Sequence, residues 1–70
     1  MTIHKGGYLI KYLREKQGLG QIELAKEIKI SQSHLSDIER NTKTPGSEVL
    51  KKLADRLGFQ MEEFFEGKKF

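Results

Sequence analysis

Seventy residues make one domain, close to the lower limit at which hydrophobic burial alone holds a core, and with 36% hydrophobic and 33% charged residues the composition is globular rather than disordered. The chain has no cysteine, which excludes disulfides and thiolate zinc sites, and no apolar run approaches a membrane span or a signal-peptide pattern, so a cytoplasmic protein is expected. The net charge of +3 is a mild basic excess that suits a polyanionic partner, and because Glu62, Glu63 and Glu66 cluster near the C-terminus the remainder is more basic than the whole.

Residues 1–6 (MTIHKG) lack periodicity and read as a flexible lead-in to a domain over residues 7–66, with residues 67–70 as a tail. The spacing of Leu9, Ile10 and Leu13, joined by Tyr12, predicts a first helix from Gly7 or Tyr8 to Lys16 that turns Lys11, Glu15 and Lys16 outward. Gly18 suits a left-handed cap, after which Leu19 turns back toward the core. A second helix is expected from Gln21 to Ile28, with Ile22, Leu24, Ala25 and Ile28 on its inner face. Gly20 permits the geometry of its cap but brings no side-chain oxygen. Lys29 falls at the corner that follows, where a left-handed backbone is needed and a residue with a Cβ costs about 1 kcal/mol.

Ser31 is a start signal for a third helix from Gln32 to Arg40, with Leu35, Ile38 and Glu39 inward and Asn41, which tolerates the left-handed region, at its end. Residues 42–46 (TKTPG) forbid continuation, and Ser47 followed by Glu48 opens a fourth helix to Leu57, striped by Val49, Leu50, Leu53, Ala54 and Leu57. Gly58 caps it, Phe59 turns inward, and Met61, Phe64 and Phe65 space a last short helix. No segment alternates as a strand does, so the expected fold is all-α with five helices.

Residues 21–40, QIELAKEIKISQSHLSDIER, form two short helices about a tight corner, and the polar face of the second carries the chemistry. Gln32, Ser33, His34, Ser36, Asp37 and Arg40 are mostly short or bidentate hydrogen-bonding groups, where a solvated helix would carry lysine and glutamate. Such a face can read base edges in a major groove. His34 has only His4 as a second histidine, so no metal site is expected, and the acidic residues near the C-terminus read as a solvated face. Nothing calls for a cofactor. There is no cysteine nucleophile, phosphate-cradling glycine loop or metal-ligand cluster, and too little chain to enclose a cleft, so an enzyme is not expected.

The chain resembles the phage-repressor/Cro-type helix-turn-helix proteins (the XRE family) over about residues 7–66. The resemblance rests on Ile10, Leu13-Arg14, Gly18-Leu19, Gln21, Leu24-Ala25 and Ser31-Gln32-Ser33. It continues through Leu35-Ser36-Asp37-Ile38-Glu39-Arg40-Asn41, Pro45 and the Leu50, Leu53, Ala54, Leu57-Gly58 series. It implies a helix-turn-helix at helices two and three, with helix three in the major groove of operator DNA. The protein would then be a transcriptional regulator, a repressor of bacterial or phage origin, bound as a homodimer to an inverted repeat. By position, Gln32, Ser33, Ser36 and Asp37 would face bases, with Gln32 suited to adenine and Asp37 to a cytosine amine. Gln21, Arg40, Asn41, Thr42, Lys43 and Thr44 would hold phosphates and set register. Arg14 and Glu39 match a charged pair tying helix one to helix three.

The family pattern usually has glycine where Lys29 stands and a serine or threonine cap where Gly20 stands, which predicts a slightly weakened turn. A domain this small is not expected to bury every aromatic, so the dimer contact is expected around Phe59, Met61, Phe64 and Phe65. Two other readings share the fold: a protein-interaction module using that apolar surface, and the DNA-binding antitoxin of a toxin–antitoxin pair. With no ligand domain after the reader in this sequence, control is expected to come from concentration, a protein antagonist or a larger parent chain.

Overall fold

A computed structural model describes residues 6–66 and, among them, places five α-helices: α1 Gly6–Lys16, α2 Gln21–Ile28, α3 Gln32–Glu39, α4 Ser47–Leu57 and α5 Met61–Glu66. The lead-in up to residue 5 and the tail from residue 67 lie outside the described residues. Helix α1 packs against α3, α4 and α5, while α2 lies between α3 and α4. One cluster gathers the apolar stripes of all five helices, and Ile10, Leu24, Leu35, Ile38, Leu50 and Leu53 are its fully buried members. The boundaries follow from local chemistry. Gly18 (φ 70°) and Gly58 (φ 83°) take the left-handed conformation that ends α1 and α4.

The corner between α2 and α3 uses Lys29 at φ 63° and ψ 47°. The Ile30 amide reaches back to the Ala25 carbonyl (3.0 Å), and Ile30 itself packs against the core. This corner sets the orientation of α3, so the backbone cost at Lys29 is borne by the surrounding packing. The Ser31 hydroxyl then accepts the His34 amide at 3.0 Å and starts α3. At α2 the Glu23 carboxylate accepts the Gly20 amide at 2.8 Å, but Gly20 has no side-chain oxygen to cap a free amide of the first turn in return. On the far side, Gln17 donates to the Leu57 carbonyl (2.9 Å) and Arg56 bonds Glu27 and Gln17, fastening α4 to the α1–α2 junction.

Several expectations are corrected. Ile22 is 53% exposed and does not belong to the inner face of α2, which is Leu24, Ala25 and Ile28. Ser47 opens α4 as expected, with Gly46 in the cap position. Gly6 does not close a lead-in: it begins α1, and Gly6 and Gly7 are both buried. A Cβ on Gly6 would overlap the Phe64 ring, and one on Gly7 would overlap the carbonyl oxygens of Ile38 and Glu39. The glycine pair lets the start of α1 lie directly on the end of α3 and on α5.

Candidate nucleic-acid interface

The second helix of the corner grades from a buried inner side to an exposed outer one. Leu35, Ile38 and Glu39 are buried; Gln32 and Ser33 are exposed; Ser36 and Asp37 are half-buried, as is His34. Gln32, Ser33 and Ser36 thus stand along the outer side of a helix whose inner side is locked into the core.

The exposed end of α3 is tied to the interior by a chain of hydrogen bonds. Arg14 of α1 grips Glu39 with two nitrogens, Nε to Oε2 at 2.7 Å and Nη2 to Oε1 at 3.0 Å, while its Nη1 donates to the Leu19 carbonyl at 3.0 Å. Both side chains are buried, and the hydrogen bond to Glu39 raises the Arg14 pKa above its ordinary value. Glu39 Oε1 also accepts from Gln21 Nε2 at 3.1 Å, and Gln21 Oε1 accepts from Gln32 Nε2 at 3.2 Å. Gln32 therefore stands with one amide hydrogen engaged. Its carbonyl oxygen and second amide hydrogen remain to be offered together, the pair of groups that matches adenine N6 and N7.

A second cluster closes the end of α3. Asp37 Oδ1 accepts from Arg40 Nη2 at 2.8 Å and from the Thr42 hydroxyl at 3.2 Å, and Oδ2 lies 3.9 Å from Lys43 Nζ. The Arg40 hydrogen bond holds the Asp37 carboxyl below its ordinary pKa, with Thr42 and then Lys43 adding to the effect. Asn41 turns the chain at φ 62°, and its Oδ1 accepts the Gly7 amide at 3.1 Å. Arg40, Lys43 and Thr44 are exposed along this loop. The residues expected to hold phosphates thus fall into two groups. Gln21 joins Gln32 and Glu39, whereas Arg40, Thr42 and Lys43 gather on Asp37. The Asn41 side-chain oxygen is given to α1.

Between the two groups runs an open cleft of about 360 Å³ lined by Lys11, Arg14, Gln21, Ser36, Glu39 and Arg40. Its single carboxylate, Glu39, is matched by Arg14, and Arg40 is matched by Asp37 beside the cleft, so Lys11 supplies the excess positive charge there. Lys11 was expected only to point outward. The available signal was its i, i+3 spacing from Arg14, which puts both on one face of α1.

The apolar surface is smaller than expected. Phe59 and Phe64 are each 8% exposed and belong to the core, because glycine at position 6 leaves room for the Phe64 ring. Phe59 thus turns inward as expected, and Phe64 joins it in the core. Met61 is half-buried against the same cluster, and Phe65, 69% exposed, meets Phe64 edge-on with ring centres 5.3 Å apart. Among the described residues no group of histidine and carboxylate side chains could hold a metal ion, and no helix is long and apolar enough to cross a membrane.

Residues 10–64 match the helix-turn-helix family model. The chain is 38% identical over 55 residues to the immunity repressor protein of Bacillus phage phi105, covering 79% of this chain and 38% of the repressor. It is 34% identical over 61 residues to the HTH-type transcriptional regulator DdrOP3 of Deinococcus deserti, covering 87% of this chain and 47% of that protein. It therefore spans less than half the length of these two relatives. In three dimensions it is similar to the P22 c2 repressor protein crystallised with a synthetic operator, at a TM-score of 0.86 and 26% identity, covering 93% of this chain and 98% of that one.

Proposed function

The chain belongs to the helix-turn-helix family, and from that premise we propose that it binds double-stranded DNA sequence-specifically and regulates transcription, as a repressor that occludes a promoter. In this reading α3 enters the major groove and Gln32, Ser33 and Ser36 meet base edges. Gln21, Arg40, Lys43 and the Thr42–Thr44 loop track the flanking phosphates, and Lys11 widens that track through the cleft beside Gln21. The observation that carries the reading is the Glu39–Gln21–Gln32 chain, which fixes an exposed amide on α3 through bonds of 3.1 and 3.2 Å to a buried ion pair. A base reader must be positioned before it meets DNA, and this chain of bonds supplies that positioning for Gln32. The relatives named as repressors and regulators, and the operator-bound P22 structure, support the same reading.

Two copies would read half-sites about one helical turn apart. Phe65, the exposed aromatic of α5, is the residue of the expected dimer surface that remains available for that contact. Selection of bound duplexes from a random pool tests the proposal. An enriched inverted repeat with that spacing supports it; a pool that stays random, at low salt and at working protein concentration, overturns it.

A further inference from the structure

Asp37 is the hub of the loop that follows α3. Its carboxylate meets Arg40 at 2.8 Å, the Thr42 hydroxyl at 3.2 Å and Lys43 at 3.9 Å. Its main-chain oxygen accepts the amides of Thr42 (2.9 Å) and Lys43 (3.3 Å) and the Thr42 hydroxyl (3.0 Å). Both loop cations are therefore already turned on an anion of this chain, held much as they would hold a phosphate oxygen. A cytosine amine would have to share this carboxylate with Arg40 and Thr42 on Oδ1 or take Oδ2 beside Lys43, where it competes with the cations already turned on it.

Resting on the DNA-binding reading above, we infer that Asp37 is a positioning residue that serves as an internal counter-anion. It arranges Arg40 and Lys43 along the backbone path, tempers their affinity for phosphate on every sequence alike, and reads no base. The sign follows from the charges. Arg40 and Lys43 would present +2 to the duplex, and Asp37 reduces that to +1. A phosphate drawing Arg40 away must also overcome the carboxylate, so fewer counterions are released per complex than two free cations would release. This cost falls on the backbone contact, which is the same whatever base pair lies beneath α3.

Asp37→Asn tests the assignment, since it keeps the shape and the oxygen that faces Thr42 while removing the charge. Asp37→Ser serves as a second variant, and each is checked by thermal melting for a folded state. The full chain is titrated over a salt series onto its selected duplex, the single-pair variants of that duplex, and random duplex. Removal of the charge should tighten binding about two- to fivefold on all of them, the range of an exposed ion pair. It should steepen the slope of log K against log salt by up to about 0.9 and leave the order of preference among base pairs unchanged. In an Arg40→Ala background the gain should fall by at least half, because Arg40 carries it. Reordered preference at one base pair, or weaker binding with an unchanged slope in a folded variant, overturns the assignment and returns Asp37 to the base readers. Wild-type binding with no response in the variant overturns the role of Asp37 alone; absence of binding by every protein to every duplex overturns the DNA reading and this inference together.

Discussion

Truncating Glu39 to alanine should separate what the buried ion pair does for the fold from what it does for recognition. The Arg14 and Glu39 side chains are 10% and 3% exposed, and Glu39 receives two guanidinium bonds, at 2.7 and 3.0 Å. Glu39→Ala leaves a charged guanidinium with the Leu19 carbonyl as hydrogen-bond acceptor and the exposed Glu15 carboxylate 3.9 Å away, at a cost of about 3–5 kcal/mol for breaking one side of a buried pair. A domain of this length has a total stability on the order of 3–10 kcal/mol, so most of it is at stake. The paired replacement Arg14→Met/Glu39→Leu removes both charges at similar volume and should recover to within about 1–2 kcal/mol of wild type. Urea unfolding followed by helical circular dichroism measures all three proteins. The recovered double variant should still bind DNA several-fold more weakly, because Gln21 has lost the oxygen that orients it and, through it, Gln32. A loss below about 1 kcal/mol in Glu39→Ala, or a double variant no more stable than the single one, would refute the buried-charge argument.

Lys43→Ala should weaken binding to every duplex alike and lower the salt slope by about 0.9, and Lys11→Met should do the same if the cleft beside Gln21 carries a phosphate. Lys52→Met, on a different cleft between α2 and α4, supplies the charge-matched control for gel shifts over a salt series. Gly7→Ala should destabilise by about 1–3 kcal/mol in urea unfolding, since its methyl group meets the Ile38 and Glu39 carbonyls; a neutral result would mean that α1 does not lie so close to α3. Lys29→Gly should raise stability by up to about 1 kcal/mol by removing a Cβ from a left-handed corner, and a fall in the unfolding midpoint would contradict the φ of 63°.

Much of the fold was legible because local rules and tertiary needs agree along most of the chain. The bounds of α2 and α4 follow from Gly20, Pro45 and Gly58, and the left-handed turns at Lys29 and Asn41 follow from where the helical stripes must stop and restart. Ile22 was misplaced because its three-residue spacing to Ala25 ignores the direction of the whole stripe. At 100° per residue it lies roughly 115° from the mean of Leu24, Ala25 and Ile28. Gly6-Gly7 suggested flexibility because a glycine pair looks the same whether it frees the backbone or admits a neighbour. The neighbours here, Phe64 and the end of α3, are more than thirty residues away in sequence. The same contact explains Phe64: a count of aromatics against chain length cannot show that a missing side chain has made room for a ring.

The site divides along the same line. The outward residues of α3 could be listed from periodicity. The bonds that join Gln32 to Gln21 and gather Arg40, Thr42 and Lys43 on Asp37 depend on side-chain reach across helices and turns, which spacing does not report. Asp37 is the sharpest instance. As an isolated letter on a reading face it suggests a base acceptor, but in its surroundings it is already bonded.

The claim that the outer face of α3 reads sequence is tested most directly by measuring Gln32→Ala and wild type side by side on the selected duplex and on a set in which each base pair of a half-site is changed in turn. The wild type should lose about 1–3 kcal/mol when the pair opposite Gln32 is altered, and the variant should lose that discrimination at that one pair while keeping it at the others. An identical profile for the two proteins, or a uniform loss across all duplexes, would contradict the claim.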